Sequence, residues 1–351
     1  RAKKSESEIG VAERIRSLDM TVADLHILGQ HLVNHRIRLD RGANEWFVEL
    51  DGDRILGSVN VPYDFNSGQP IVDEADRLLL PGDDSDDDRP AAGVEPRSLP
   101  PISIKAEQLA FGDRNLGRVE ADFARTADGL VADSIVARDA TFELVGNASW
   151  VIDESDPKGH RSSITATLTS TDVEKTMRRL DYDPGIIGDD LSMLLTLSWS
   201  GGPNEELLET LDGTVKVKIG EGQLAELNPG AGRMFGLMSI AALPRRLALD
   251  FRDVFGKGFA FDKIKGDFQI VDGETYTCNL SLEGPAADIG IIGRAGLVSR
   301  EYEQTAVVSA SFGNALPVAG AIVAGPQVAA ALLIFSQIFK KPLKEVSQVY
   351  Y

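Results

Sequence analysis

One cysteine in 351 residues, Cys278, leaves no partner for an internal disulfide, so the fold does not rely on oxidation. Histidine is scarce too, with four residues. His31 and His35 have the spacing of a zinc pair only on a helix, whereas their segment reads as a strand end and turn. No third ligand follows at a matching interval, so no metal site is expected and surface or turn histidines are the plainer account. Long apolar runs are also missing. The chain opens on Arg1-Ala2-Lys3-Lys4 without the core of a signal peptide, and without Met it reads as a fragment. Pro317 and Pro326 interrupt the apolar region near the other end before it reaches the length of a straight spanning helix. Basic residues are outnumbered, 36 against 54 acidic, for a formal charge of −18. Lys and Arg are nowhere gathered into a basic stripe with interleaved aromatics, which excludes nucleic acid as a partner, and the charge argues against broad adsorption to an anionic bilayer.

Recognisable catalytic chemistry is equally thin. Cys278 falls between Tyr276 and Leu280 on the apolar side of an alternating run, where a thiol would be buried and neutral. Gly230, Gly232 and Gly236 lack the spacing of a dinucleotide loop, and no Lys-Ser/Thr follows as in a phosphate loop. No Gly-x-Ser-x-Gly elbow occurs, and the carboxylates are spread through turns. The acidic run Asp83-Asp84-Ser85-Asp86-Asp87-Asp88 does not have the ligand spacing of a calcium loop. The sequence therefore points away from an enzyme and calls for no cofactor.

What is present is a folded composition, 43% hydrophobic and 26% charged, with period-two alternation recurring along the chain. Ile102, Ile104 and Ala106 alternate with polar residues, as do Ile164, Ala166 and Leu168. The pattern returns at Leu191-Met193-Leu195-Leu197-Trp199, Val215-Val217-Ile219, Ile264-Gly266-Phe268-Ile270 and Tyr276-Cys278-Leu280-Leu282. Turns are expected at Asp128-Gly129, Asp212-Gly213 and Asp272-Gly273. Leu25 to Pro62 and Ile102 to Trp150 read as two copies of one strand-rich unit.

Helices are few. Thr171 or Ser170 can cap Asp172 to Leu180, Asn204 can cap Glu205 to Leu211, and Ala231 to Leu243 is apolar and helix-permissive. Gln327 to Phe339 carries Val328, Leu332, Phe335 and Phe339 on one stripe, suited to a re-entrant or surface-docked hairpin that contacts a membrane. The proline-rich stretch Pro81 to Pro101 is too polar to order itself and reads as a solvated loop.

About a dozen strands would turn on the order of forty apolar side chains to one face, each worth ~1.5–3 kcal/mol when buried. Either two sheets close on each other, or a long bent sheet leaves an apolar trough for something else. Periodicity does not separate the two, and most half-apolar sheets bury that face internally, which favours the sandwich.

A resemblance shifts that balance. Leu197-Ser198-Trp199-Ser200-Gly201-Gly202-Pro203, Leu211-Asp212-Gly213-Thr214 and Asn228-Pro229-Gly230-Ala231-Gly232-Arg233-Met234-Phe235-Gly236-Leu237 appear in order. Ala242 to Leu247, Leu249 to Phe255, Gly258 to Asp262, Gly284-Pro285-Ala286-Ala287, Gly293-Arg294, Leu316-Pro317 and Gly325-Pro326 follow. From Gly188 onward the chain resembles the C-terminal AsmA-like region of the YhdP family, which is grouped with TamB-like, bridge-type lipid transport proteins of Gram-negative bacteria.

The resemblance implies a mainly β fold, a long, bent, repeated antiparallel sheet forming a taco-like apolar groove, with few helices and an apolar helical segment near the end. It implies a periplasmic location, tethered to the inner membrane by an N-terminal helix outside this sequence. The implied function is non-enzymatic carriage of glycerophospholipids from inner to outer membrane, which supports the outer-membrane barrier. Acyl chains, both membranes and envelope proteins are the implied partners; a closed β-sandwich binding or structural module of the envelope is the alternative.

The expected groove lining is Leu191, Met193, Leu195, Leu197, Trp199, Val215, Val217, Ile219, Phe268, Ile270, Tyr276, Leu280 and Leu282. Arg233, Arg245 and Arg246 are candidate headgroup contacts, although pairing with Asp250, Asp253 or Asp262 is the favoured reading. The expected organisation is a groove unit over 1–80, an acidic loop over 81–101, and a second groove unit over 102–200. An AsmA-like β region with a helical cap over 201–316 and an apolar hairpin with a truncated end over 317–351 complete it.

Overall fold

The computed structural model describes residues 16–27, 30–80, 95–203, 207–224, 259–310, 318–322 and 337. The chain is mainly β and divides into two compact units, Arg1–Asp139 with Asn147–Ile152, and Ala140–Gly146 with Asp153–Tyr351.

In the first unit the strands are β1 (Ser17–Ile27), β2 (Gln30–Arg41), β3 (Glu45–Asp51), β4 (Ile55–Pro62), β5 (Ile71–Leu80), β6 (Ile102–Phe111), β7 (Arg114–Arg125) and β8 (Gly129–Arg138). Each pairs with the next, antiparallel except for β5 and β6. Strand β9 (Phe142–Ile152) gives its last residues to this unit. Small residues crowd the centre: Ala75 and Ala106 are buried, and a side chain on Gly57 would come within 2.5 Å of the Ala75 Cα. Only glycine lets β4 approach β5 so closely beside the irregularity at Leu56/Gly57.

The parallel pair gives the acidic stretch a topological task. The chain must return along the length of β5 before β6 can start, which needs a crossover rather than a hairpin. Its last part is not a solvated loop. Residues Pro96–Ser98 form a 3-10 turn, and Pro96 and Pro100 are fully buried. Pro96 packs at Gly129, and Ile71 N–H donates to Pro101 O at 2.8 Å. Composition understated this end because proline rings bury apolar area without needing an N–H partner. Replacing the aspartates at 83, 84, 86, 87 and 88 by serine is expected to leave the melting temperature unchanged. Deleting 83–88 leaves residues 81–82 and 89–94 to return ~30 Å along β5, about their full extended reach. The deletion is therefore expected to lower the melting temperature, and thermal unfolding of both variants checks the contrast.

In the second unit β10 (His160–Ser170), β12 (Leu191–Ser200), β13 (Asp212–Ile219), β16 (Lys263–Val271), β17 (Glu274–Glu283), β18 (Ala287–Gly296), β19 (Tyr302–Ala310) and β20 (Val318–Ile322) pair successively and antiparallel. A small separate sheet consists of β11 (Ile186–Gly188), β14 (Gly222–Leu224) and β15 (Phe259–Phe261). Helix α1 (Val173–Arg179) lies between β10 and β11. Asp172 is its N-cap, accepting from Lys175 N–H at 3.0 Å, while Ser170 Oγ accepts from Asp172 N–H at 3.0 Å. The cap therefore sits one residue after Thr171 and two after Ser170, the expected ones. Of the segment expected to be helical after Asn204, the described part holds only a 3-10 turn, Leu208–Thr210. The Asp272-Gly273 turn forms as expected, with positive φ at both residues, whereas Asp212-Gly213 opens β13 instead of turning. The apolar segments Ala231–Leu243 and Gln327–Phe339 lie outside the described residues, Gln337 excepted, which is helical and exposed.

His31 and His35 both belong to β2, and His35 is fully buried rather than on a surface or turn. Its Nδ1 lies 2.9 Å from Val33 O, and its Nε2 accepts from Ile55 N–H at 3.3 Å. Nδ1 therefore carries the proton, and the neutral ring satisfies a backbone N–H at the start of β4.

Candidate functional site

The alternation of each strand puts one apolar row beside the next, and the register shows which residues share a face. In the second unit Ala166, Leu195, Val215 and Phe268 stand side by side on β10, β12, β13 and β16. Leu168, Met193, Val217 and Gly266 flank them on one side; Ile164, Leu197, Gly213 and Ile270 flank them on the other. Thr196, Ser198, Lys216 and Lys218 occupy the opposite face.

One end of this apolar face is closed. Leu191, Ile219, Ile264, Leu282, Ile289 and Ile291 are buried in one cluster with Val173 of α1 and Phe259 and Phe261 of β15. Away from the cluster, Leu195, Leu197, Val215 and Phe268 are only half-buried, and so is Trp199, whose Nε1–H donates to Gly202 O at 3.0 Å. The outer side of the opposite end, beside Trp199, is pinned by polar groups. Arg161 bonds Asp212 at 2.6 Å and Ser198 at 3.0 Å, and Ser200 Oγ donates to the buried Asp156 at 2.6 Å.

Strand β17 departs from its expected parity. Phe268 pairs with Thr277 and Gln269 with Tyr276, so Tyr276 stands on the face opposite Phe268. A bulge between Thr277 and Leu280 then restores Leu280 and Leu282 to the core side. Tyr276 is 45% exposed and Cys278 is exposed, not buried as the alternation suggested. Both line an open depression of about 630 Å³ on the polar face, where Arg294 bonds Glu274 at 2.7 Å. The alternation was legible, but the extra residue that reverses it carries no Gly or Pro signal.

In the first unit, one row runs Leu18, Leu39, Val48, Val59, Asp73, Ile104, Ala121, Ile135 from β1 to β8. The next row is Met20, Ile37, Leu50, Gly57, Ala75, Ala106, Val119, Ala137. Leu18 and Met20 are exposed, and Ile37, Leu39, Val48, Leu50, Val59 and Ile104 are half-buried. At the row's margin Arg41 lies over the rings of Trp46 and Tyr63, 5.7 and 5.4 Å from their centroids. Amphipathic rings and a cation at strand ends suit a boundary between apolar and wet surroundings.

Asp73 was missed by sequence reading because Ile71-Val72-Asp73-Glu74-Ala75 puts apolar and acidic residues on both parities. Only the register assigns its face. Arg233, Arg245, Arg246, Val328, Leu332, Phe335 and Phe339 lie outside the described residues. Among the described residues no group of three or more His, Cys, Asp or Glu is placed to hold a metal ion, and no helix is long and apolar enough to cross a membrane.

A model of the YhdP protein family matches residues 1–351. The chain belongs to the YhdP family. A relative in Escherichia coli (strain K12), named intermembrane phospholipid transporter YhdP, is 28% identical over 256 residues. That alignment covers 73% of this chain and 20% of the relative, so the chain spans a small part of that protein's length. No solved structure matches. Family membership thus extends over the upstream strands as well as the region from Gly188 that carried the sequence resemblance.

Proposed function

We propose that this chain is a section of an envelope-spanning bridge, held in the inner membrane, that carries glycerophospholipids through the periplasm toward the outer membrane. The observation that carries the reading is the set of apolar rows left half-exposed across successive strands in each unit, in a family with a relative named as an intermembrane phospholipid transporter. Acyl chains laid on Leu195, Leu197, Val215 and Phe268, or on the rows from β1 to β8, would remove that area from water at ~25 cal/mol per Å². Headgroups would stay at the wet margin, where their phosphates keep their hydration. Leu191, Ile219 and Leu282 would then serve as the structural end of the lining beneath α1 and β15, and Leu197 and Trp199 as its accessible part. Such carriage breaks no covalent bond and needs no cofactor.

Solvent extraction of the purified chain, followed by lipid mass spectrometry, tests the proposal. Glycerophospholipid is expected at one or more molecules per chain. A lipid-free protein from lipid-replete cells would favour the closed sandwich instead.

A further inference from the structure

We propose that Asp73 determines when an acyl chain can lie across β4, β5 and β6, admitting it only once the carboxyl group has taken up a proton. This inference rests on the groove reading above.

The register puts Asp73 between Val59 and Ile104, with Ile71 and Ala75 before and after it on the same face of β5. It is half-buried, and no side chain among the described residues bonds it. Strands β4 and β6 present only apolar residues or glycine to that face beside it. Glu74 and Lys105, 3.8 Å apart, are on the other face. The cations at that face's margin are engaged elsewhere: Arg125 bonds Phe65 O at 3.1 Å and Asn66 at 3.3 Å, and Arg41 stacks on Trp46 and Tyr63.

An ionised carboxylate keeps its hydration only while the face is open to water. A hydrocarbon chain across Val59 and Ile104 would strip that water, which a carboxylate tolerates only by taking up a proton. Burial already pushes the Asp73 carboxyl up to about 6. A lipid above it raises the value further, so lipid uptake and proton uptake are linked, and each favours the other. While ionised, Asp73 makes this stretch of the wall unfavourable for an acyl chain.

The test is titration of the purified chain with phosphatidylcholine carrying a pyrene-labelled acyl chain, at pH values from 5 to 8. Wild-type affinity is expected to fall by roughly tenfold or more across that range, about tenfold for each pKa unit that lipid adds. Asp73→Asn is expected to bind with the pH 5 affinity throughout, while Glu74→Gln, on the other face, keeps the wild-type slope. A flat wild-type profile with binding intact would overturn the role of Asp73 and leave the groove standing. An unchanged slope in Asp73→Asn would do the same. A preference for phosphatidylethanolamine at pH 8 that disappears in Asp73→Asn would mean the carboxylate pairs with an ammonium, and the proton linkage would fall. Absence of binding at every pH would remove the groove reading and this inference with it.

Discussion

Leu197→Arg is expected to give a folded protein that no longer retains phospholipid, whereas Ile289→Arg is expected not to fold. The two leucine-sized sites are apolar positions of the same unit and differ in what surrounds them. Leu197 is half-buried between Ile164 and Gly213, away from the cluster under α1. A guanidinium there reaches water along its own stem and leaves no uncompensated charge in the core. It would, however, place a cation and its hydration across the path of an acyl chain. Ile289 is 1% exposed among Leu282, Ile291 and the β15 phenylalanines. An unpaired cation in that position costs several kcal/mol, a large share of the roughly 5–15 kcal/mol that holds a domain folded. Circular dichroism melts and lipid extraction of both proteins check the pair. An unfolded Leu197→Arg protein would show that this face is sealed; a folded one with full lipid content would show that the strand does not carry acyl chains.

Asp73→Leu is expected to raise stability at pH 7 by about 1–3 kcal/mol through loss of the desolvated charge, and that part of the gain should vanish in acid, leaving only the packing of the leucine. The carboxyl sits near 6 in the folded chain against an ordinary 3.8, with burial as the cause. Between those values the folded state binds more protons than the unfolded one, so wild-type stability declines as pH rises from about 4 to 6. Above 6 the decline is complete, and below 4 the group is protonated in both states. Two pKa units correspond to about 3 kcal/mol at most, and residual solvent reduces the figure. Urea denaturation of lipid-depleted wild type and variant at pH 3.5, 5 and 7 measures it. A difference that is the same at all three values would mean the carboxylate is solvated rather than desolvated. Asp73→Asn separates loss of charge from the added apolar packing of leucine.

Much of the fold was legible in the sequence because alternation is a local signal. The runs at Ile102–Ala106, Ile164–Leu168, Leu191–Trp199, Val215–Ile219 and Ile264–Ile270 all lie within strands. What alternation does not encode is how strands meet. The β17 bulge that turns Tyr276 and Cys278 outward is set by pairing with β16 and β18, and the parallel β5–β6 pair by the crossover between them. His35 illustrates the same limit. Its burial follows from closing the start of β4, through Ile55 N–H and the ring's place over Gly52, and nothing within β2 announces it. The candidate site divides in the same manner. Leu195, Leu197 and Val215 could be assigned to one face from spacing, whereas Asp73 could be assigned only once Val59 and Ile104 were known to flank it.

The central claim, that acyl chains lie against one face of these strands, is tested most directly by the parity of photo-crosslinking along β12. Photoreactive residues placed at 195, 197 and 199 are expected to capture phospholipid in cells, and those at 196, 198 and 200 are not. Crosslinks to protein alone at the first set, or equal lipid capture at both sets, would contradict the account.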